Sequence, residues 1–168
     1  MTTLFAQPYD ISASGFYFDN AEDYLTKSKA LRNSHGQPVE EFEIQFIDGD
    51  DIDVELAKAW GLSQCSLECF FKAADDWSGY RKLCFIIAVG ECGYDFDPET
   101  TNPDDFDVII YHCDTMKELA EQFVDEGYYG DIPASLAGYI DYEAMAYDLS
   151  MDYSEITIDG TNLIYACP

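Results

Sequence analysis

The chain has 168 residues, with 34 Asp and Glu against 8 Lys and Arg, a formal net charge of −26. Acidity of this kind with few apolar residues signals disorder, but 48% of these residues are hydrophobic and 15% aromatic, so the composition specifies a folded acidic protein. The length fits one domain or a string of two or three small ones.

The charge is unevenly placed. Residues 1–82 hold 7 basic and 15 acidic residues, whereas residues 83–168 hold only Lys117 against 19 acidic ones. Self-repulsion at this level opposes a compact state, and a surface that normally binds polyanions is the obvious user of it. The longest apolar run, Leu83 to Val89, is too short to span a bilayer, and anionic headgroups repel such a chain. Met1 to Asp10 has neither a basic n-region nor an apolar h-region. Six cysteines without a secretion signal read as reduced thiols, so a cytoplasmic protein with no membrane partner is expected.

In chain order, Ala13 to Phe18 reads as a short strand. Asn20 caps a helix with Glu22 and Asp23 in its first turn, where the helix dipole favours acids. Its inward stripe is Ala21, Tyr24, Leu25, Ser28 and Leu31. Gly36 and Pro38 end the segment. From Val39 to Ile47, Phe42, Ile44 and Phe46 alternate with Glu41, Glu43 and Gln45, a half-buried strand with a charged face. Residues 51–105 are mainly helical: Asp50 to Trp60 stopped at Gly61, then a second helix from Ser63 to about Trp77. Leu83–Val89 fits a strand or a buried helical turn. Asp95 to Asp107, with two prolines, six acids and no basic residue, is a loop or linker.

The last segment opens with the buried strand Val108–Tyr111. Asp114 or Thr115 caps a helix closed by Gly127, with Met116, Leu119, Ala120, Phe123 and Val124 inward. Glu118, Glu121 and Asp125 line its opposite face. Pro133 opens a short turn, Tyr139 to Leu149 forms a further helix, and a hairpin turns at Asp159-Gly160. The fold class expected is therefore α+β, in three small modules: 1–50 (α+β), 51–105 (mainly helical, with the acidic linker) and 106–168 (α+β).

Catalytic signals are sparse. His35 sits in a turn, and His112 adjoins Cys113 on a strand, where neighbouring side chains point to opposite faces. No phosphate-loop, dinucleotide, zinc-protease or serine-hydrolase motif occurs. No CxxC is present, and the calcium-loop pattern fails from both Asp48 and Asp95. Neither a metal nor a cofactor is expected. With 34 acids, some pair of carboxylates at hydrolase spacing is guaranteed and carries no information. A carboxylate-dependent hydrolase stays open as an alternative.

Duplex DNA carries about one charge per 1.7 Å of axis, so −26 equals the charge of about 44 Å of duplex, about 13 base pairs. Two readings of the acidity follow. Carboxylates stand in for phosphates in the basic groove of a DNA-binding enzyme, or the surface is simply solvated, as in adaptation to high salt. Salt adaptation spreads acid throughout a chain, which does not match the near-loss of Lys and Arg after residue 82.

Glu118 to Leu149 reads ELAEQFVDEGYYGDIPASLAGYIDYEAMAYDL. The acid-rich helix end Phe123–Gly127, the Gly130-Asp131-Ile132-Pro133 linker, and Tyr139-Ile140-Asp141-Tyr142-Glu143-Ala144 through Asp148-Leu149 resemble the C-terminal part of the ArdA antirestriction family. Phe16–Arg32 and Val39–Asp50 are also similar, while residues 62–105 match least. The resemblance implies an elongated, three-module DNA mimic rather than an enzyme. It implies a homodimer joined through its C-terminal modules, with no direct nucleic-acid binding. Its partner would be the DNA-recognition core of type I restriction–modification enzymes, blocked on behalf of a mobile genetic element evading host defence. Another defence enzyme, such as a CRISPR effector, is the alternative target. The family's acidic face falls here on Glu118, Glu121, Asp125 and Glu126, on Asp95, Asp97, Glu99, Asp104 and Asp105, and on Glu41 and Glu43. Dimer-interface candidates are Pro133, Leu136, Tyr139 and Tyr142, which helical spacing equally allows as core.

Overall fold

The structure, a computed structural model, describes residues 2–168. It is α+β, with six α-helices and two three-stranded antiparallel sheets among the described residues. The chain up to Phe106 forms one compact unit and Asp107–Pro168 a second.

In the first unit, β1 (Thr3–Pro8) lies between β2 (Phe16–Phe18) and β3 (Phe42–Asp48). Leu4 pairs with Phe18 on one side and Phe46 on the other, and Ala6 with Phe16 and Ile44. The period-2 pattern buries Leu4, Ala6 and Pro8 with Phe18 and Phe42, while Glu43 and Gln45 face water. Helix α1 (Ala21–Ala30) starts at Asn20, whose side chain accepts the Asp23 N–H at 2.8 Å. It sets Tyr24 against Phe18 at a ring separation of 5.0 Å, whereas Leu25, expected inward, is 49% exposed.

Helices α2 (Asp51–Trp60), α3 (Leu67–Asp76) and α4 (Gly79–Phe85) complete this unit. Their core is aromatic: Trp60 stacks on Phe85 at 5.0 Å and meets Phe70, Trp77 and Phe96 within 6.0 Å. Phe18 against Phe71, at 6.2 Å, joins the sheet to α3. Helix α3 begins later than its sequence signal at Ser63 suggests, and the cause is Gln64. Its amide group accepts the Phe42 N–H at 2.9 Å and donates to the Glu40 carbonyl, which fastens that stretch to the sheet. The ambiguous run Leu83–Val89 is helical: α4 passes into a π-helical turn, Ile86–Glu91. Gly90 lies where α2 approaches, since a Cβ there would stand 3.3 Å from the Ala59 Cβ.

The second unit pairs β4 (Ile109–Tyr111) and β5 (Ser154–Ile158) with a central β6 (Thr161–Ala166). The β5–β6 hairpin turns through Asp159 and Gly160, both at positive φ (51° and 68°), as a type I′ turn demands. Helix α5 (Met116–Asp125) is capped by Thr115, whose hydroxyl accepts the Glu118 N–H. Helix α6 (Tyr142–Leu149) starts three residues after the expected Tyr139, because Asp141 caps it by accepting the Ala144 N–H. Met116, Leu119, Ala120, Phe123, Leu149 and Ile164 form the core, with Tyr142 and Met145 packed on it.

Candidate functional site

Thirty of the 34 carboxylate side chains are exposed; Asp10, Asp23 and Glu55 are half-buried and only Asp53 is buried. The cations are treated differently. Five of the eight are held in ion pairs: Lys27–Asp23, Lys58–Glu55, Arg81–Asp104, Lys82–Asp53 and Lys117–Glu143. The surface therefore offers many free carboxylates and few free cations.

All eleven acids expected on the charged face are exposed. On α5 they follow from the helix itself, because burying Leu119, Ala120 and Phe123 turns Glu118, Glu121 and Asp125 outward. At 1.5 Å rise per residue, these three span about 10.5 Å along the axis. Glu118 also reaches back to accept the Asp114 N–H at 2.9 Å, and Glu126 accepts from Gln122 at 2.8 Å. The Glu121 and Asp125 carboxylates make no ion pair or hydrogen bond among the described residues. Lys117, the one cation of this unit, is taken up by Glu143 of α6 at 2.8 Å, which raises its pKa.

Residues 95–105 carry Asp95, Asp97, Glu99, Asp104 and Asp105 on a loop tied at several points. The Asp97 carboxylate accepts the Glu99 N–H, its carbonyl accepts the Thr101 N–H, and Thr101 Oγ1 accepts the Asp97 N–H at 2.8 Å. Phe96 packs on Phe85 at 4.9 Å and Phe106 on Tyr94 at 5.8 Å. Arg81 donates to Asp104, and this bond holds the Asp104 carboxyl below its ordinary pKa. Asp104 is thus the least available of the five. Glu43 stands on the outer side of β3, with Gln45 donating to it at 3.2 Å, and Glu41 is exposed just before the strand begins.

Of the interface candidates, Pro133, Leu136 and Tyr139 are exposed, Tyr139 to 86%, while Tyr142 is half-buried on the core of its own unit. Tyr128, Tyr129, Tyr147 and Met151 are also exposed, and these apolar groups were not anticipated. Their signal is negative: Tyr147 falls off the inward stripe of α6, and Tyr128, Tyr129 and Met151 lie beyond the ends of α5 and α6.

His35 and His112 are both exposed. Among the described residues, no group of three or more His, Cys, Asp or Glu is arranged to hold a metal, and no helix is long and apolar enough to cross a membrane. Burial pushes the Cys84 and Cys113 thiols up, away from the reactive thiolate. Cys65, Cys69, Cys84 and Cys113 are free thiols, whereas Cys92 and Cys167 are disulfide-bonded, so the expectation of six reduced thiols holds for four.

One pair escaped the sequence reading. Lys82 Nζ lies 2.5 Å from Asp53 Oδ1, and both are buried. The clue is helical spacing, since Asp53 precedes Leu56, Ala57 and Trp60 by three, four and seven residues, which places it on the inward face of α2.

Fold and surface together define a class: a heavily acidic α+β protein that presents its carboxylates outward. The family model described as antirestriction protein (ArdA) matches residues 39–162. The chain belongs to the ArdA antirestriction protein family. Its partners, at the level the family defines, are restriction–modification enzymes. The matched range takes in the middle segment 62–105 and leaves out Phe16–Arg32. No curated protein matches the chain.

Proposed function

We infer that the protein is bound in place of DNA, and that the site it occupies is the DNA-recognition core of a type I restriction–modification enzyme. The observation that carries this reading is the asymmetry of charge use: 30 exposed carboxylates, against cations mostly neutralised in ion pairs. On α5, Glu118, Glu121, Asp125 and Glu126 place four charges over about 12 Å, close to the one charge per 3.4 Å of a single DNA strand. Counterions leave both surfaces on binding, and complementary charge speeds encounter. The three modules 1–50, 51–105 and 106–168 each contribute acids to this role. Inhibition is stoichiometric rather than catalytic. A second copy covers Pro133, Leu136 and Tyr139, giving a homodimer that acts in the cytoplasm.

The test is competition between the protein and DNA for a purified type I modification core. The expected result is displacement at one inhibitor dimer per site, with log affinity falling linearly with log salt. Absence of competition at low salt across several type I enzymes overturns the choice of target, and turnover by substoichiometric protein overturns mimicry itself.

A further inference from the structure

A cavity of about 410 Å³ opens in the first unit between α3 and the 95–105 loop. One ridge of α3, Glu68, Lys72 and Asp76 at four-residue intervals, forms one wall, and Glu99 of the loop stands on another. Trp77, half-buried, supplies the aromatic surface, with the buried Trp60 ring behind it at a centroid separation of 5.6 Å. The carboxylates of Glu68, Asp76 and Glu99 have neither ion pair nor hydrogen bond among the described residues, and Lys72 has no ion-pair partner. Three carboxylates against one ammonium leave the walls two charges negative. Trp60 is 5% exposed, and its indole N–H is the one buried side-chain polar atom without a hydrogen-bond partner among the described residues. Such orphans are rare and point to a missing partner. The loop wall is preformed by its own hydrogen bonds and by Phe96 seated on Trp60 at 5.2 Å.

We propose that this cavity receives a single arginine side chain of the partner enzyme. Tryptophan is the best cation–π platform, and arginine the cation most often found on it. The guanidinium presents five donors in a planar fork that suits carboxylate acceptors, and Asp76 and Glu99 are free to accept them. The volume is enough to take the whole arginine side chain. The rest of the acidic surface acts by summed charge, which any basic groove satisfies. This cavity reads one residue by shape and chemistry, and so adds selection among basic partners. The identity of the occupant as an enzyme side chain rests on the function proposed above; the arginine preference of the cavity does not.

The test has two arms. First, the full-length protein is titrated with N-acetyl-arginine amide, its lysine counterpart and its uncharged citrulline counterpart at fixed ionic strength, with tryptophan fluorescence as readout. A saturable change is expected for arginine, about two- to fivefold tighter than for lysine, and none for citrulline. Asp76→Asn with Glu99→Gln, both exposed, should abolish the response, and Lys72→Gln should strengthen it. An equal response to arginine and citrulline, or one untouched by the double substitution, overturns the proposal. Second, Trp77→Ala is compared with the unaltered protein on the modification core, with folding checked by thermal melting. The affinity should fall about two- to fivefold with an unchanged salt slope, because no charge is removed. A variant that binds as the unaltered protein does overturns the proposal while leaving DNA mimicry standing. If the unaltered protein ignores the core yet saturates with arginine, the target reading fails and the cavity assignment survives.

Discussion

Lys82 and Asp53 are the two charged side chains withdrawn from water, each satisfying the other at 2.5 Å between α4 and α2. A buried pair of this kind adds little net stability relative to apolar residues of the same size, but removing one partner strands the other charge. Lys82→Ala should therefore cost about 3–5 kcal/mol in denaturant unfolding, while Asp53→Leu combined with Lys82→Met should recover most of that loss. A double variant as unstable as the single one would show that packing around Lys82, not its charge, is what matters. Asp10 tests a second kind of bond. Donors from Asn33 and Ser12 hold its carboxyl well below the usual range, at about 2. A folded-state pKa below the unfolded one means stability that is present above pH 4 and lost as pH falls towards 2. The melting-temperature gap between the unaltered protein and Asp10→Asn should accordingly be full at pH 6 and close between pH 4 and 2. A gap independent of pH would rule out this linkage. Neither group was legible as important beforehand. Asp53 is marked only by its helical spacing, and Asp10 depends on Asn33, 23 residues away, which no local pattern reveals.

Helix α5 shows what a strong local signal achieves. Thr115, the apolar stripe and the outward acids were all readable, because cap chemistry and period agree. Its two faces make separable predictions. Leu119, fully buried, should lose about 2–5 kcal/mol on replacement by Ala. Glu118, Glu121 and Asp125 should behave oppositely: each single change to Gln leaves stability within about 0.5 kcal/mol and weakens competition with DNA only slightly. The triple change should make the salt dependence of competition less steep, because three fewer charges take part. Complete loss from one substitution would indicate a discrete hot spot on this helix. Elsewhere the signals were weaker. β1, the central strand of its sheet, went unread, because TLFAQP holds only three alternating apolar positions and Pro8 argues against a strand interior. Leu83–Val89 stayed ambiguous since a short apolar run has no period, and burial on all sides suits either element. The late start of α3 was hidden because Gln64 acts through β3, a contact outside any local window.

At the scale of the molecule, the exposed apolar groups of the second unit and the net charge act against each other. Leu136 and Tyr139 are exposed, and the proposed homodimer would bury them against a second copy. Leu136→Asp with Tyr139→Asp should convert a dimer to monomer in sedimentation while the fold is retained; a wild-type monomer, or a variant that stays dimeric, would reject these residues as the interface. Of the exposed tyrosines of this unit only Tyr139 was legible as an interface candidate, since period alone assigns an aromatic to core or interface equally.

Charge sets the last and most discriminating expectation, because salt should move folding and function in opposite directions. With a net −26, every exposed carboxylate is repelled by the others, and that repulsion acts over about 30 Å at 0.01 M salt but only about 10 Å at 0.1 M. Compaction and any pairing of like-charged copies should both become easier as salt rises. Binding to a basic groove responds the other way, since added salt removes the gain from releasing counterions. Between about 0.02 M and 0.3 M NaCl the melting temperature should climb while affinity for the modification core falls steeply. Potassium glutamate and sodium chloride at equal ionic strength should give closely similar melting curves if screening is the cause. A melting temperature that is flat across the range would show that mutual repulsion of the carboxylates does not limit folding, and would overturn screening as the link between salt and stability.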